Sequence, residues 1–234
     1  MIEVEHVSKT FGKVTALSDV SMRIGRGERV ALTGSNGSGK TTLLRALCGL
    51  VRVTGQLRIG GHDVAQHPER ALAHLAYIPQ QAPPLDAPTS ELVRAYAALR
   101  GIALKNVHAY ATELGLPLAS IGRTRIRDLS GGMKQKLLSS LALAAETPVL
   151  ICDEPTASLD QRAREAFFAL VKARPKESVL VLCSHRTDDL EALVARTVEL
   201  RDGRVVAANA SLPDPAEGQR MLGLVQVLTC AGQP

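Results

Sequence analysis

Gly34-Ser35-Asn36-Gly37-Ser38-Gly39-Lys40-Thr41 fits the spacing G-x-x-x-x-G-K-S/T, a pattern that builds a nest for phosphate. Glycines let the backbone curl until successive N–H groups face one anion. The helix that follows, opening on Thr42, adds its unpaired N–H groups and partial positive charge. In such a loop Lys40 reaches the outer phosphates and the Thr41 hydroxyl is a ligand for Mg2+.

Two other stretches carry chemistry. Val149-Leu150-Ile151-Cys152 is an apolar run that ends in Asp153-Glu154. Adjacent side chains of a strand point to opposite sides, so the pair is expected to divide its work. Asp153 is placed to hold Mg2+, directly or through water, and Glu154 to polarise a water for attack on phosphate. Leu129-Ser130-Gly131-Gly132-Met133-Lys134-Gln135 opens a second helix with exposed N–H groups. That start is either a second anion site or an ordinary capped terminus.

The elements that position these residues follow from hydropathy. Arg29 to Thr33 reads as the strand before the phosphate loop. The runs Val149 to Cys152 and Val179 to Cys183 are continuously apolar, as for parallel strands buried on both faces. A helix over Gln161 to Ala173 joins them, giving a strand–helix–strand unit with a right-handed crossover. Ile2 to Val7 and Val20 to Ile24 alternate, as half-exposed antiparallel strands do. Gly55 to Ile59 and Ala76 to Ile78 are further strands, and Asp202-Gly203 marks a hairpin between Arg196 to Leu200 and Arg204 to Ala207. Between Ala82 and Ala145 the chain is helical: Thr89-Ser90-Glu91 caps one helix through Leu99, a second covers Asn106 to Leu114, and a third runs from Ser130 to Ala145. The expected class is α/β: a phosphate-loop NTPase core with an antiparallel β subdomain and an inserted α-helical subdomain at about 82–145. This domain spans 1–207, with a short tail at 208–234.

Composition narrows the field. The chain has 234 residues, 45% hydrophobic and 22% charged, with a net charge of +5. That is a folded globular composition, compatible with anionic ligands or a membrane surface. Aromatics are 3% and Trp is absent, which argues against stacking platforms for single-stranded nucleic acid. Cys48, Cys152, Cys183 and Cys230 form no C-x-x-C pair and read as buried thiols of a reducing compartment. The N-terminal Met1-Ile2-Glu3-Val4-Glu5 alternates like a strand and carries acids where a signal peptide carries bases. No apolar run reaches the length of a membrane span. Arg123, Arg125 and Arg127 read as a solvated turn.

Together these motifs resemble the nucleotide-binding subunit of an ATP-binding-cassette (ABC) transporter. Gly34 to Thr41 matches Walker A and Leu150 to Glu154 matches Walker B. Leu129 to Met133 matches the signature motif, which sets this family apart from other phosphate-loop ATPases. Ser158-Leu159-Asp160 resembles the D-loop, Gln80 the Q-loop glutamine and His185 the switch histidine; Gln81 follows Gln80 and leaves that assignment open by one position. Phe11 resembles the aromatic residue that stacks on adenine, against the alternative of a core phenylalanine. Met133 departs from the family's usual glutamine. Among subgroups the chain is most similar to cassettes of ABC-2-type exporters.

The resemblance implies an ATPase that takes ATP with Mg2+. Two cassettes, identical or different, pair head-to-tail with ATP between Walker A of one and Ser130, Gly131 and Gly132 of the other. Gln80 then senses Mg2+ and the attacking water, and His185 holds the γ-phosphate. A separate transmembrane permease completes the machine, which places the chain on the cytoplasmic face of the inner membrane. Leu85 and Leu92 are expected on its docking surface. The competing readings are an ATP-gated clamp, which Glu154 opposes, and a non-transport ABC ATPase acting on DNA or ribosomes, whose usual coiled coils, zinc modules or second cassette are not found here.

Overall fold

A computed structural model describes residues 1–209. The strands are β1 (Ile2–Phe11), β2 (Val14–Ile24), β3 (Arg29–Thr33), β4 (Thr54–Ile59), β5 (His62–Asp63), β6 (Leu75–Ile78), β7 (Val149–Asp153), β8 (Val179–Cys183), β9 (Arg196–Arg201) and β10 (Arg204–Asn209). The helices are α1 (Lys40–Leu47), α2 (Pro68–Ala73), α3 (Thr89–Arg100), α4 (Leu104–Glu113), α5 (Leu118–Ile121), α6 (Gly131–Ala144), α7 (Gln161–Lys172) and α8 (Thr187–Leu193).

Two sheets form. One is antiparallel, in the order β2-β1-β4-β5; the other runs β10-β9-β3-β8-β7-β6 and is parallel apart from the β9–β10 hairpin. Val149 to Cys152 of β7 and Val179 to Cys183 of β8 are apolar at every position because both faces are covered. Val149, Ile151, Val179 and Val181 pack with the antiparallel sheet and α1. Leu150, Cys152, Leu180 and Leu182 pack on the other face, against Phe167 and Val171 of α7. The inserted helices α3 to α6 have a core of their own, including Val93, Val107, Ala111, Leu137 and Leu141.

Several local expectations change. Thr89 does not cap α3: Pro88 occupies that position without a side-chain cap, and the Thr89 hydroxyl donates to Thr124 O at 2.9 Å. A partner across the fold therefore outcompetes the local cap. The short helices α2, α5 and α8 fall where no helix is evident from sequence; four to seven residues are too few to show a helical period. Arg125 and Arg127 are exposed as expected, but both pair with Asp86, at 2.7 and 3.0 Å. Cys48, Cys152 and Cys183 are buried free thiols. Strand β10 carries the main domain two residues past 207; the rest of the expected tail, with Cys230, lies outside the described residues.

Phe167 is the largest fully buried side chain described. Replacing it with Ala is expected to lower the unfolding free energy by about 3–5 kcal/mol, measured by urea denaturation.

Candidate functional site

The carboxyl ends of β3, β6, β7 and β8 meet at a cavity of about 180 Å3, where ligands of open α/β sheets bind. Asn36, Gly37, Gly39, Lys40, Thr41, Thr42, Gln80, Asp153, Glu154 and His185 line it. Gln81, the other candidate left open by sequence, does not line it. A larger cavity of about 700 Å3 opens at the other end of the strands, around His74, Thr147, Arg174 and Ser178. None of the phosphate-loop or carboxylate residues reaches it, so chemistry assigns the smaller one.

The phosphate loop is held by its own lysine. Lys40 is buried, and its ammonium donates to Gly34 O at 2.6 Å and Ser35 O at 2.8 Å. The loop also rests on the β9–β10 hairpin, where Gly203 N donates to Ser38 O at 3.1 Å and Ser18 N donates to Gly203 O at 2.8 Å. Gly203 has φ 74°, and a Cβ there would lie 2.8 Å from Ala16 O.

Asp153 and Glu154 do not point to opposite sides as strand alternation implies; both line the one cavity. The reason is that β7 stops at Asp153 and Glu154 adopts a left-handed φ of 50°. That conformation is uncommon for a residue with a Cβ and is held here by tertiary contacts, among them Glu154 N donating to Cys183 O at 2.8 Å. Burial raises the Glu154 pKa above the usual carboxylate range, with the charges of Asp153 and Asp189 acting in the same direction and His185 opposing. His185 Nε2 stands 3.5 Å from Glu154 Oε1, an ion-pair separation.

Buried oxygens of Ser38, Asp153 and Glu154 have no hydrogen-bond partner within the protein. The Thr41 hydroxyl, the Gln80 amide oxygen and the Asp153 carboxylate are hard oxygen donors suited to Mg2+, and the loop N–H groups and Lys40 suit phosphate.

Two lining residues, Ala16 and Cys183, escape sequence reasoning. Ala16 belongs to β2, a strand with no motif. Cys183 ends β8 just before Ser184-His185, and that position was its only signal. Burial and then the Asp153 charge push its thiol up to about 12, so it stays protonated at neutral pH.

The remaining candidates lie elsewhere. Phe11 is 49% exposed at the end of β1, with Lys9 Nζ 4.9 Å from its ring centroid, so it is not a core residue. Ser130, Gly131 and Gly132 do not line the cavity. They form the exposed start of α6, where Ser130 Oγ accepts from Met133 N at 3.2 Å. Ser158 lies beside them: a Cβ on Gly132 would sit 2.9 Å from Ser158 O. Met133 packs on the helical core instead of offering a polar contact.

A phosphate loop, a carboxylate pair on a neighbouring strand and an inserted helical subdomain define a nucleotide-binding α/β cassette. The family model described as ABC transporter matches residues 17–157, and the chain belongs to the ABC transporter family, as an ATP-binding cassette. It is 32% identical over 213 residues to the doxorubicin resistance ATP-binding protein DrrA of Mycobacterium tuberculosis, an alignment covering 88% of this chain and 64% of DrrA. It is 31% identical over 219 residues to the human phospholipid-transporting ATPase ABCA3, covering 90% of this chain and 13% of that protein. The chain thus spans a small part of its ABCA relative. A solved ATP-binding subunit of an ABC transporter superposes with a TM-score of 0.80 at 28% identity, over 96% of this chain and 94% of that one.

The seat of Gly203 under the phosphate loop has a measurable consequence. Gly203→Ala is expected to cost about 1–3 kcal/mol of stability, from the strained φ and the close carbonyl, and to weaken ATP binding. Thermal unfolding and equilibrium nucleotide titration check the two effects.

Proposed function

We propose that this chain hydrolyses ATP with Mg2+ and powers substrate translocation, in the export direction, through a separate membrane permease. The observation that carries this reading is the convergence of Lys40, Thr41, Gln80, Asp153, Glu154 and His185 on one cavity. Loop N–H groups and Lys40 bind the phosphates. Thr41, Gln80 and Asp153 hold Mg2+, which when bound offsets phosphate charge. Glu154, with its raised pKa, accepts a proton from the attacking water. His185, beside it, donates toward the γ-phosphate. Phe11, exposed at the end of β1, offers its ring to the adenine.

Ser130, Gly131 and Gly132 act on a second cassette. They form an exposed helix start outside their own chain's cavity, and a helix N-terminus attracts phosphate. Two copies, or this chain with a different cassette, therefore complete each other's sites around ATP. Loss of the γ-phosphate removes the shared anion and lets the pair open. No helix among the described residues is long and apolar enough to cross a membrane, so the permease supplies the span and the cassette sits on it at the cytoplasmic face. Leu85, at 36% exposure, and Leu99, at 82%, are available for docking. Leu92 is partly buried and packs on the helical core.

Glu154→Gln tests the reading. It should bind ATP with near wild-type affinity and lose at least about a hundredfold in turnover. It should sediment as a dimer with ATP and as a monomer with ADP, and a further Ser130→Arg should abolish that dimer while ATP still binds. Wild-type turnover in Glu154→Gln removes it from catalysis; a dimer that survives Ser130→Arg removes Ser130 from the interface. Separately, Lys40→Ala should weaken ATP binding about tenfold or more, as expected for loss of a charge-assisted contact, read by nucleotide titration.

A further inference from the structure

Among the described residues Asp189 is a charged side chain with no exposure at all, and it does not line the phosphate cavity. It sits in the first turn of α8 and accepts from three different segments. Arg164 Nε of α7 donates to Oδ1 at 2.9 Å. The Thr156 hydroxyl donates to Oδ2, and the Ser184 hydroxyl donates to the same oxygen at 3.0 Å. Ser184 Oγ in turn accepts from Arg186 N at 3.1 Å. Arg164 is itself buried and also reaches Asp188 at 3.2 Å.

The positions of these donors matter. Thr156 follows Glu154 by two residues, and Ser184 immediately precedes His185. The two cavity residues that stand 3.5 Å apart therefore belong to segments tied to one carboxylate oxygen. Each bond is charge-assisted and largely shielded from water, hence stronger than a neutral one. A carboxylate buried without such donors would be costly; here its donors fix where the two segments cross.

We propose that Asp189 is a positioning residue for ATP hydrolysis, holding the segment after Glu154 and the segment before His185 in register with each other. The proposal rests on the roles given above to Glu154 and His185. An amide in place of the carboxylate keeps the volume but removes the charge that all three donors share. Glu154 and His185 then lose their common reference, while the phosphate loop, which Asp189 does not touch, keeps its ATP contacts.

The test uses the full chain, ATP as the probe, and two readouts: equilibrium ATP affinity, and steady-state kcat per ATP-binding site. Asp189→Asn is expected to lose about tenfold or more in kcat, with affinity within about threefold of wild type, as a displaced catalytic group requires. Thr156→Val and Ser184→Ala each remove one donor and leave the Arg164–Asp189 pair in place. Each should lower kcat by about three- to tenfold at unchanged affinity, so these two decide the matter if Asp189→Asn fails to fold. In a Glu154→Gln background Asp189→Asn should cost less turnover than in wild type, because of the two groups it positions only His185 remains. Wild-type kcat in both single-donor variants overturns the proposal. So does a parallel fall of affinity, kcat and melting temperature, which marks a merely structural role. Wild-type turnover in Glu154→Gln overturns the reading of Glu154 itself, and the proposal with it.

Discussion

The burial of Lys40 governs the shape of the site. An ammonium shielded from water must be paired or fully hydrogen-bonded, and here it donates to two carbonyls of its own loop, Gly34 and Ser35. Those two bonds tie the bend of the loop to the lysine that follows it. Charge and curvature therefore support each other. The rest of the cassette braces that bend: β3 delivers the loop, α1 carries the lysine, and the tip of the β9–β10 hairpin fixes Ser38 from outside.

Asp153 and Glu154 line the same cavity as Lys40, and both are buried. Desolvation raises the pKa of Glu154, and the same burial strengthens any interaction that its charge makes. A left-handed turn at Glu154 is what brings it round from the face of β7 to the cavity. The strand supplies rigidity up to Asp153, and the departure from strand geometry supplies the second carboxylate.

Sequence made the chemistry legible where motif and context coincide. The phosphate loop could be read because an apolar strand precedes it and a helix follows. β8, and β7 as far as Cys152, could be read because burial on both faces leaves no polar position there to confuse the pattern. What escaped depends on partners distant in the chain. Gly203, Ala16 and Cys183 reach the loop only through tertiary packing. Thr89 looks like a cap until Thr124 is brought beside it. The orientation of Glu154 could not be read because period-two alternation holds only while the strand lasts, and it ends one residue earlier.

The exposed start of α6 and the cavity are far apart in sequence, yet a continuous set of contacts runs between them. Lys136 of α6 pairs with Asp160 at 2.7 Å, and Asp160 also caps α7 by accepting from Ala163 N at 2.9 Å. One turn along α7, Arg164 enters the Asp189 cluster that ends at Thr156 and Ser184. The links differ in strength. The Asp160 side chain is 60% exposed, and a pair of that kind is weak and is weakened further by salt. The Arg164–Asp189 pair is nearly sealed from solvent, where removing one partner costs about 3–5 kcal/mol. Along this chain of contacts the link nearest α6 is the weaker one. The segments that carry Glu154 and His185 are thus held to each other more firmly than α6 is held to α7, because the inner link is buried and the outer one is open to solvent.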